Sequence, residues 1–457
     1  MSRAQPTHRA QVRRPVRWAT AVAMATALRS VGGQAPAPDA SLVDWVRAAA
    51  IPVRPVDQPY VDSTFTFLGP LVGRARVLAI GELVHGAHEP LAFRNEVIRY
   101  AVTHLGVRAV ALESGFTEAH TIDAFIHGGP GDIDTVVRTG LTWNFERLPE
   151  NRDLVLWLRT YNAHARQKIR FYGLDISGAD DAGIMPRAAG AVRTTLEYLD
   201  RVEPDVDRAR RARVRGLLDR FLPARYAEYS ADERDLLRTT LERAYATLRA
   251  DSTRYSHATS PSLYAWETRN AWEAVRLNAM MAAGIADTTA MTRAVVNARD
   301  SMMAENVRWV LAQVGPTARV IVFAHNGHVM NVETTFEGQR VESLGRYLRA
   351  WLGSALVVLG AATGAIVGGT GGIGGWLGDS GVAVASPASF AALLAGAGRP
   401  TFVLDRRTGD HLSGVAAALA RPWPLLFDTP SEFSLVVPDQ AFDAITYFDR
   451  VTPAKLR

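Results

Sequence analysis

Two short segments far apart in the chain carry the residues best suited to proton-transfer chemistry. Glu82 and His85 stand three positions apart in Gly81-Glu82-Leu83-Val84-His85-Gly86, and His325 and His328 repeat that spacing in His325-Asn326-Gly327-His328. Histidine titrates near neutrality, so it can take a proton and later return it. Glu113, in Glu113-Ser114-Gly115, and Asp175, in Asp175-Ile176-Ser177-Gly178, add two further carboxylates followed closely by glycine. The same types also suit a metal: Glu82, His85, Glu113, His325 and His328 could ligate zinc or manganese. That spacing is generic and no His-Glu-x-x-His helix accompanies it. Histidine pairs at a pocket mouth can also hold haem without catalysis. Acid–base work is the reading preferred here, with no metal and no cofactor.

These groups act together only if the fold gathers them. The body alternates short apolar runs with longer helical patterns, which marks an α/β fold with a mostly parallel central sheet flanked by helices. Strands are predicted at Ala75–Ile80, Ala109–Leu112, Ile169–Leu174 and Arg319–Ala324, then at Leu356–Gly360, Thr401–Leu404 and Ala444–Phe448. Helices are predicted at Pro90–Leu105, Glu118–Ile126, Asn151–Arg166, Ser343–Leu352 and Pro387–Leu394. The stretch 185–312 reads as almost wholly helical, a large insertion or lid within one catalytic domain spanning 41–457. Each of the first four strands runs into one of the polar segments above. Ligands in open α/β sheets bind at the carboxyl ends of strands, so the four endings point to one shared cleft.

Arg94 gives an independent signal. Leu91, Ile98, Ala101 and Leu105 mark the apolar stripe of the first long helix, and Arg94 falls in that stripe. A guanidinium facing a core must be paired. The expected partner is a strand-end carboxylate, Glu82 or Glu113.

The basic balance of the whole chain, +5, is misleading as a hint of nucleic acid. Residues 1–36 carry six arginines and no acid, and without them 45 basic residues face 46 acidic ones. A near-neutral body offers no footprint for polyanions. The leader has a basic stretch, an apolar run from Trp18 to Leu28 and then small residues, the layout of an export signal over residues 1–40. Its apolar run is too short to span a bilayer. Cysteine is absent, which removes thiol nucleophiles and disulfides. Two motifs are read as loops: Gly369-Thr370-Gly371-Gly372-Ile373-Gly374, which lacks a following helix, and Gly378-Asp379-Ser380-Gly381.

Taken in order, these segments resemble the erythromycin esterase family. The resemblance rests on Ile80-Gly81-Glu82 with His85-Gly86 and His88-Glu89, Arg94, Ala109-Val110-Ala111-Leu112-Glu113, and Trp157-Leu158-Arg159 with Tyr161-Asn162. It continues through Phe171-Tyr172-Gly173-Leu174-Asp175, Asn297-Ala298-Arg299-Asp300, Ala324-His325-Asn326-Gly327-His328, Phe402-Val403-Leu404-Asp405 and Phe442-Asp443-Ala444-Ile445. Residues 187–290 do not match closely. The resemblance implies hydrolysis of a carboxylic ester, a macrolide lactone in characterised members, without a metal. It implies His85 as catalytic base, surrounded by Glu82, Arg94, Glu113, His325 and His328. Activated water is then the nucleophile, Glu82 or Glu113 orients the imidazole, and His325, His328 or Arg94 donates to the oxyanion. Asp175 and Asn326 are candidates for substrate contact, and the expected partner is a small-molecule ester. His88 is expected to support its loop or cap the next helix.

Overall fold

The computed structural model describes residues 40–180, 185–284, 288–336, 339–368, 382–426 and 433–456. Residues 1–39 of the segment expected to be an export leader, and both glycine-rich loop motifs, lie outside the described residues. Eight strands form one sheet: β1 (Ile51–Pro52), β2 (Val77–Glu82), β3 (Val107–Gly115), β4 (Arg170–Asp175), β5 (Arg319–His325), β6 (Leu356–Thr363), β7 (Thr401–Asp405) and β8 (Ala444–Phe448). Their spatial order is β1-β7-β8-β6-β2-β5-β3-β4. Strands β8, β6, β2, β5, β3 and β4 run parallel, while β7 is antiparallel to β8 and to β1. The expected mostly parallel sheet is therefore present. Its unpredicted member, β1, has two residues, too few to show any alternation, and its brevity and Pro52 blunt the sheet edge.

The strands alternate between two apolar layers, as a pleat requires. Leu78 and Ile80 of β2, with Ile321 and Phe323 of β5, face a first layer. Val77, Ala79, Val320 and Val322 face a second. Helix α1 (His88–His104) covers the first layer with Leu91, Phe93, Val97 and Ile98. Gly106 follows it at φ +71°, the left-handed residue expected just past a helix end. Helices α2 (Phe116–Ile126) and α3 (Pro149–His164) follow β3.

The long helical stretch divides. Helices α4 (Gly190–Val202), α5 (Ala231–Ala250) and α6 (Pro261–Ala283) contribute to a separate apolar cluster with Leu196, Phe221, Tyr226, Leu237 and Leu277. Helix α7 (Thr288–Val314) lends Met302 to that cluster and also packs on β3, β4 and β5, adding Met303, Ala304, Val307 and Val310 to the second layer. The last part of the presumed insertion is thus a wall of the sheet itself. Helix α8 (Leu344–Leu352) begins at Ser343, whose hydroxyl accepts from the Arg346 amide.

Strand β3 shifts register against β4 between Leu112 and Gly115, and Gly173 of β4 lies against that irregularity. A Cβ on Gly173 would overlap the carbonyl oxygens of Ser114 and Gly115. Both are backbone atoms and cannot swing aside. Gly173→Ala is expected to destabilise the protein by about 1–3 kcal/mol through this overpacking. Denaturant unfolding should show a lower midpoint with an unchanged slope, and an unchanged midpoint would mean that β3 and β4 separate freely.

Candidate active site

The parallel register sets Glu82 opposite His325 at the carboxyl ends of β2 and β5. Three residues on, the His85 imidazole meets the Glu82 carboxylate through Nδ1 and Oε1. An ionised carboxylate only accepts, so the proton sits on Nδ1 and Nε2 is the basic atom. The His85 ring touches the Phe145 ring edge-on at 5.4 Å and the His325 ring at 5.2 Å. His325 is bound to backbone at both nitrogens: Nε2 donates to the Leu83 carbonyl at 3.0 Å, and Nδ1 accepts from the Gly327 amide at 3.1 Å. It ties the end of β5 to the His85 loop. That loop turns at Gly86, φ +78°, whose carbonyl accepts from the Ala454 amide at 2.8 Å.

A second group is built around Arg299 of α7. Its Nε and Nη2 reach both oxygens of Asp175, at 2.8 and 2.6 Å, and Nη2 also donates to Glu113 Oε1 at 2.7 Å. The guanidinium lies 4.8 Å over the Trp143 ring, whose indole N–H donates to Asp175 at 2.6 Å. Burial disfavours the Arg299 charge, yet Asp175 and Glu113 together raise its pKa above the ordinary arginine range. Glu113 also accepts the His325 amide at 2.8 Å. Burial pushes the Glu113 carboxyl up, but His328, His85 and Arg299 outweigh that and hold it well below the usual range. His328 donates from Nδ1 to Asp300 at 2.8 Å and lies 3.2 Å from Glu113 through Nε2. Burial lowers its pKa, and the carboxylates of Asp300 and Glu113 reverse this, raising it to about 10.

Arg94 is buried as its helical spacing predicts, at 0% exposure; of the two expected carboxylates Glu82 acts on it through charge, while its hydrogen bonds go elsewhere. It donates to Asn95 Oδ1 at 3.1 and 2.8 Å and stands 4.5 Å over the Phe323 ring. Burial lowers its pKa to about 10 against the attraction of Glu82 and Glu150. Glu113 is not its partner. Counting alternately from Leu78 and Ile80, Glu82 falls on the first layer, the side of α1. Counting from Ala109 and Ala111, Glu113 falls on the second, the side of α7. Each strand-end carboxylate meets the arginine of the helix on its own side.

Asp175 and Asn326 are both fully buried, at 0% exposure. Asp175 is engaged by Arg299 and Trp143 as described. The Asn326 amide pairs with the Ala361 backbone, donating at 2.8 Å and accepting at 3.1 Å, which links β5 to β6. Gly81 has room for no side chain because Asn326 Oδ1 occupies that space. The hydrogen bonds of Asn326 are structural. Arg299, Asp300, Trp143 and Phe145 received no role in the sequence analysis. The spacing of Asp300 with Met303, Ala304 and Val307, all buried, is the same helical signal that singled out Arg94.

His88 opens α1 and tethers it: Nδ1 pairs with Glu150 at 2.6 Å and Nε2 with Asp57 at 3.2 Å. Its bond to Glu150 raises its pKa to about 9. Solvent reaches the site narrowly. The side chains of His85, His328 and Arg299 are 10%, 15% and 17% exposed. Among the described residues, no three ligand-type side chains converge in a way that could hold a metal ion. Among those residues, too, no helix is long and apolar enough to cross a membrane.

The fold and the site together define an α/β protein with a cluster of histidines, carboxylates and arginines at the carboxyl ends of three adjacent parallel strands, β2, β5 and β3. A family model described as Erythromycin esterase matches residues 102–451, and the chain belongs to that family. The matched span begins after Glu82, His85 and Arg94. The chain is 28% identical over 312 residues to erythromycin esterase type II of Escherichia coli, covering 65% of this chain and 70% of that protein. A crystal structure from Bacillus cereus shares the fold at TM-score 0.75 and 21% identity, covering 91% of this chain and 98% of that one. A succinoglycan biosynthesis protein does so at 0.72 and 19%, covering 92% and 99%. Erythromycin esterase EreC, solved as a histidine-to-asparagine mutant in its open conformation, does so at 0.64 and 16%, covering 88% and 98%.

Beside this site two buried carboxylates hold one turn. Glu118 accepts the Gly178 amide at 2.9 Å, and Glu273 accepts the Ser177 amide at 2.6 Å. Burial raises Glu118 to about 7. Burial and the Glu118 charge raise Glu273 to about 8, from an ordinary 4.5. Folding therefore tightens their hold on protons. The resulting stabilisation is complete below pH 4.5 and is lost as pH rises through 7 and 8. Glu273→Gln keeps an acceptor for Ser177 and removes the charge. The variant should lose less stability than wild type between about pH 5 and about pH 9, measured by denaturant unfolding. Identical pH dependence in both proteins would refute the assignment.

Proposed function

We propose that this protein hydrolyses carboxylic esters, with macrolide lactones the first candidates, by using His85 to activate water. The observation that carries the reading is the His85–Glu82 pair at the end of β2, with the ring proton on Nδ1 and Nε2 as the basic atom. In the proposed reaction Nε2 takes a proton from water as the water oxygen bonds to the ester carbonyl carbon. A tetrahedral oxyanion results. The bond to the alcohol oxygen then breaks, and His85 returns the proton to the leaving alcohol. Glu82 orients the ring and offsets its transient positive charge.

The Glu82 carboxylate at Nδ1 supports this direction of proton flow, because an acceptor there favours the doubly protonated ring. His328 and Arg299 supply the positive potential toward which an oxyanion develops. His325 and Arg94, one bound to backbone and the other fully buried, are read as supports of the His85 loop and of Glu82. The family membership and the Escherichia coli relative support ester hydrolysis as the activity, and the basic and apolar leader supports export.

The test is turnover of an ester panel that includes macrolides. His85→Asn should lose about 10²–10⁴-fold in kcat/KM, the range of a general base. Equal turnover by both proteins would remove His85 from the mechanism.

A further inference from the structure

His328 faces two conflicting neighbours at one nitrogen. Its Nε2 lies 3.2 Å from Glu113 Oε1, an acceptor, and 3.0 Å from Arg299 Nη1, a donor. With a proton on Nε2 the ring donates to Glu113 and cannot accept from Arg299. Without that proton it accepts from Arg299 and loses Glu113. Which state prevails depends on what holds the opposite edge of the ring.

That edge is held by Asp300. Its Oδ1 accepts from His328 Nδ1 at 2.8 Å and from the Leu344 amide, the first of α8, also at 2.8 Å. The carboxylate is 1% exposed. It is fixed by its own helix α7 and by the positive end of α8, where an anion is favoured. It cannot swing away without stranding a buried amide. The charged and titratable groups around this pair are Glu113 from β3, Arg299 from α7 and Tyr347 from α8.

We propose that Asp300 is a positioning residue for the hydrolytic site: it keeps a proton on His328 Nδ1 in every state, so that the one mobile proton of this ring sits on Nε2 between Glu113 and Arg299. Asp300 thereby makes His328 a cation toward the cleft rather than a second base competing with His85. The division of labour between the two histidines follows from their carboxylate partners. The Glu82 carboxylate meets His85 at Nδ1, and His328 has a carboxylate at each nitrogen. This rests on the ester-hydrolase reading only for the catalytic consequence. The hold on the ring is independent of it.

The experiment is nitrogen-15 imidazole spectroscopy of the full chain across the neutral and alkaline range, with the His328 signal assigned by its loss in His328→Gln. In wild type the ring should remain doubly protonated through neutrality and, on losing a proton, keep the one on Nδ1. A wild-type ring that is neutral at neutral pH, or that keeps its proton on Nε2, overturns the proposal without any Asp300 variant. Asp300→Asn retains an oxygen for Leu344 and for Nδ1 but removes the charge. Its His328 midpoint should fall by about 1–3 pH units, the effect of losing one close opposite charge. For any ester the wild type turns over, the alkaline limb of kcat should move down by the same amount with KM little changed. Asp300→Glu should restore part of the shift. An unchanged His328 midpoint in Asp300→Asn refutes the proposal. If no ester is turned over, the proposed reaction fails, while the spectroscopic result still decides the role of Asp300.

Discussion

The site depends on one half-buried arginine. Arg299 bridges Asp175, at the end of β4, and Glu113, near the end of β3, with Trp143 beneath it. Two carboxylates this close and this buried would repel each other and take up protons. A guanidinium between them lets both stay ionised, since its planar fork serves two carboxylates at once. Ionised Glu113 then anchors the His325 amide and attracts His328. Protonated Glu113 would lose much of that attraction. Replacing the arginine with lysine would retain the charge but not the fork.

The layered sheet explains why two arginines are required. Glu82 and Glu113 leave neighbouring parts of the sheet on opposite faces, so no single cation on one helix reaches both. Arg94 on α1 serves the first face and Arg299 on α7 the second. The two differ in kind. Arg299 makes direct ion pairs. Arg94 acts on Glu82 through space while its hydrogen bonds go to Asn95. The sheet itself is locked beneath them by Asn326, which imitates a strand by pairing with both backbone groups of Ala361. That lock demands a glycine at position 81. The segment Gly81-Glu82 is therefore constrained as much by the packing of β5 as by the chemistry of Glu82.

What the sequence made legible was local. Strand positions follow from runs of apolar residues, and the burial of Arg94 follows from helical spacing. Both depend on neighbours a few residues away. The identity of its partners depends on which face each strand presents, and that depends on strand order. The register of β5 between β2 and β3 joins residues far apart in the chain, so local spacing left the choice between Glu82 and Glu113 as the partner of Arg94 open. Asp300 was missed for a different reason. It lies in a stretch rich in charge, where a solvated helix is the default. Yet its spacing from Met303, Ala304 and Val307 carried the signal used for Arg94. Treating residues 185–312 as one insertion obscured this, because α7 joins the wall of the sheet as well as the cluster formed by α4, α5 and α6.

The turn between the short helix Ile133–Gly140 and α3 shows how the two halves of the site are coupled. Trp143 and Asn144 both take left-handed backbone angles, φ +61° and +56°. Asparagine tolerates this region, but a bulky tryptophan does not, at a cost of roughly 1–3 kcal/mol for such a residue. The surroundings hold it there. Thr142 bonds to the Gly115 amide and the Ser114 hydroxyl, Trp143 to Asp175, and the Phe145 carbonyl to Asn151. The reversal puts Trp143 under Arg299 and Phe145 against His85, two residues apart in sequence but on different halves of the site. A relaxed extended segment would carry the two rings onward along the chain instead of folding them back. Strain at this turn is therefore the physical condition for one short segment to support both the Arg299 guanidinium and the His85 ring.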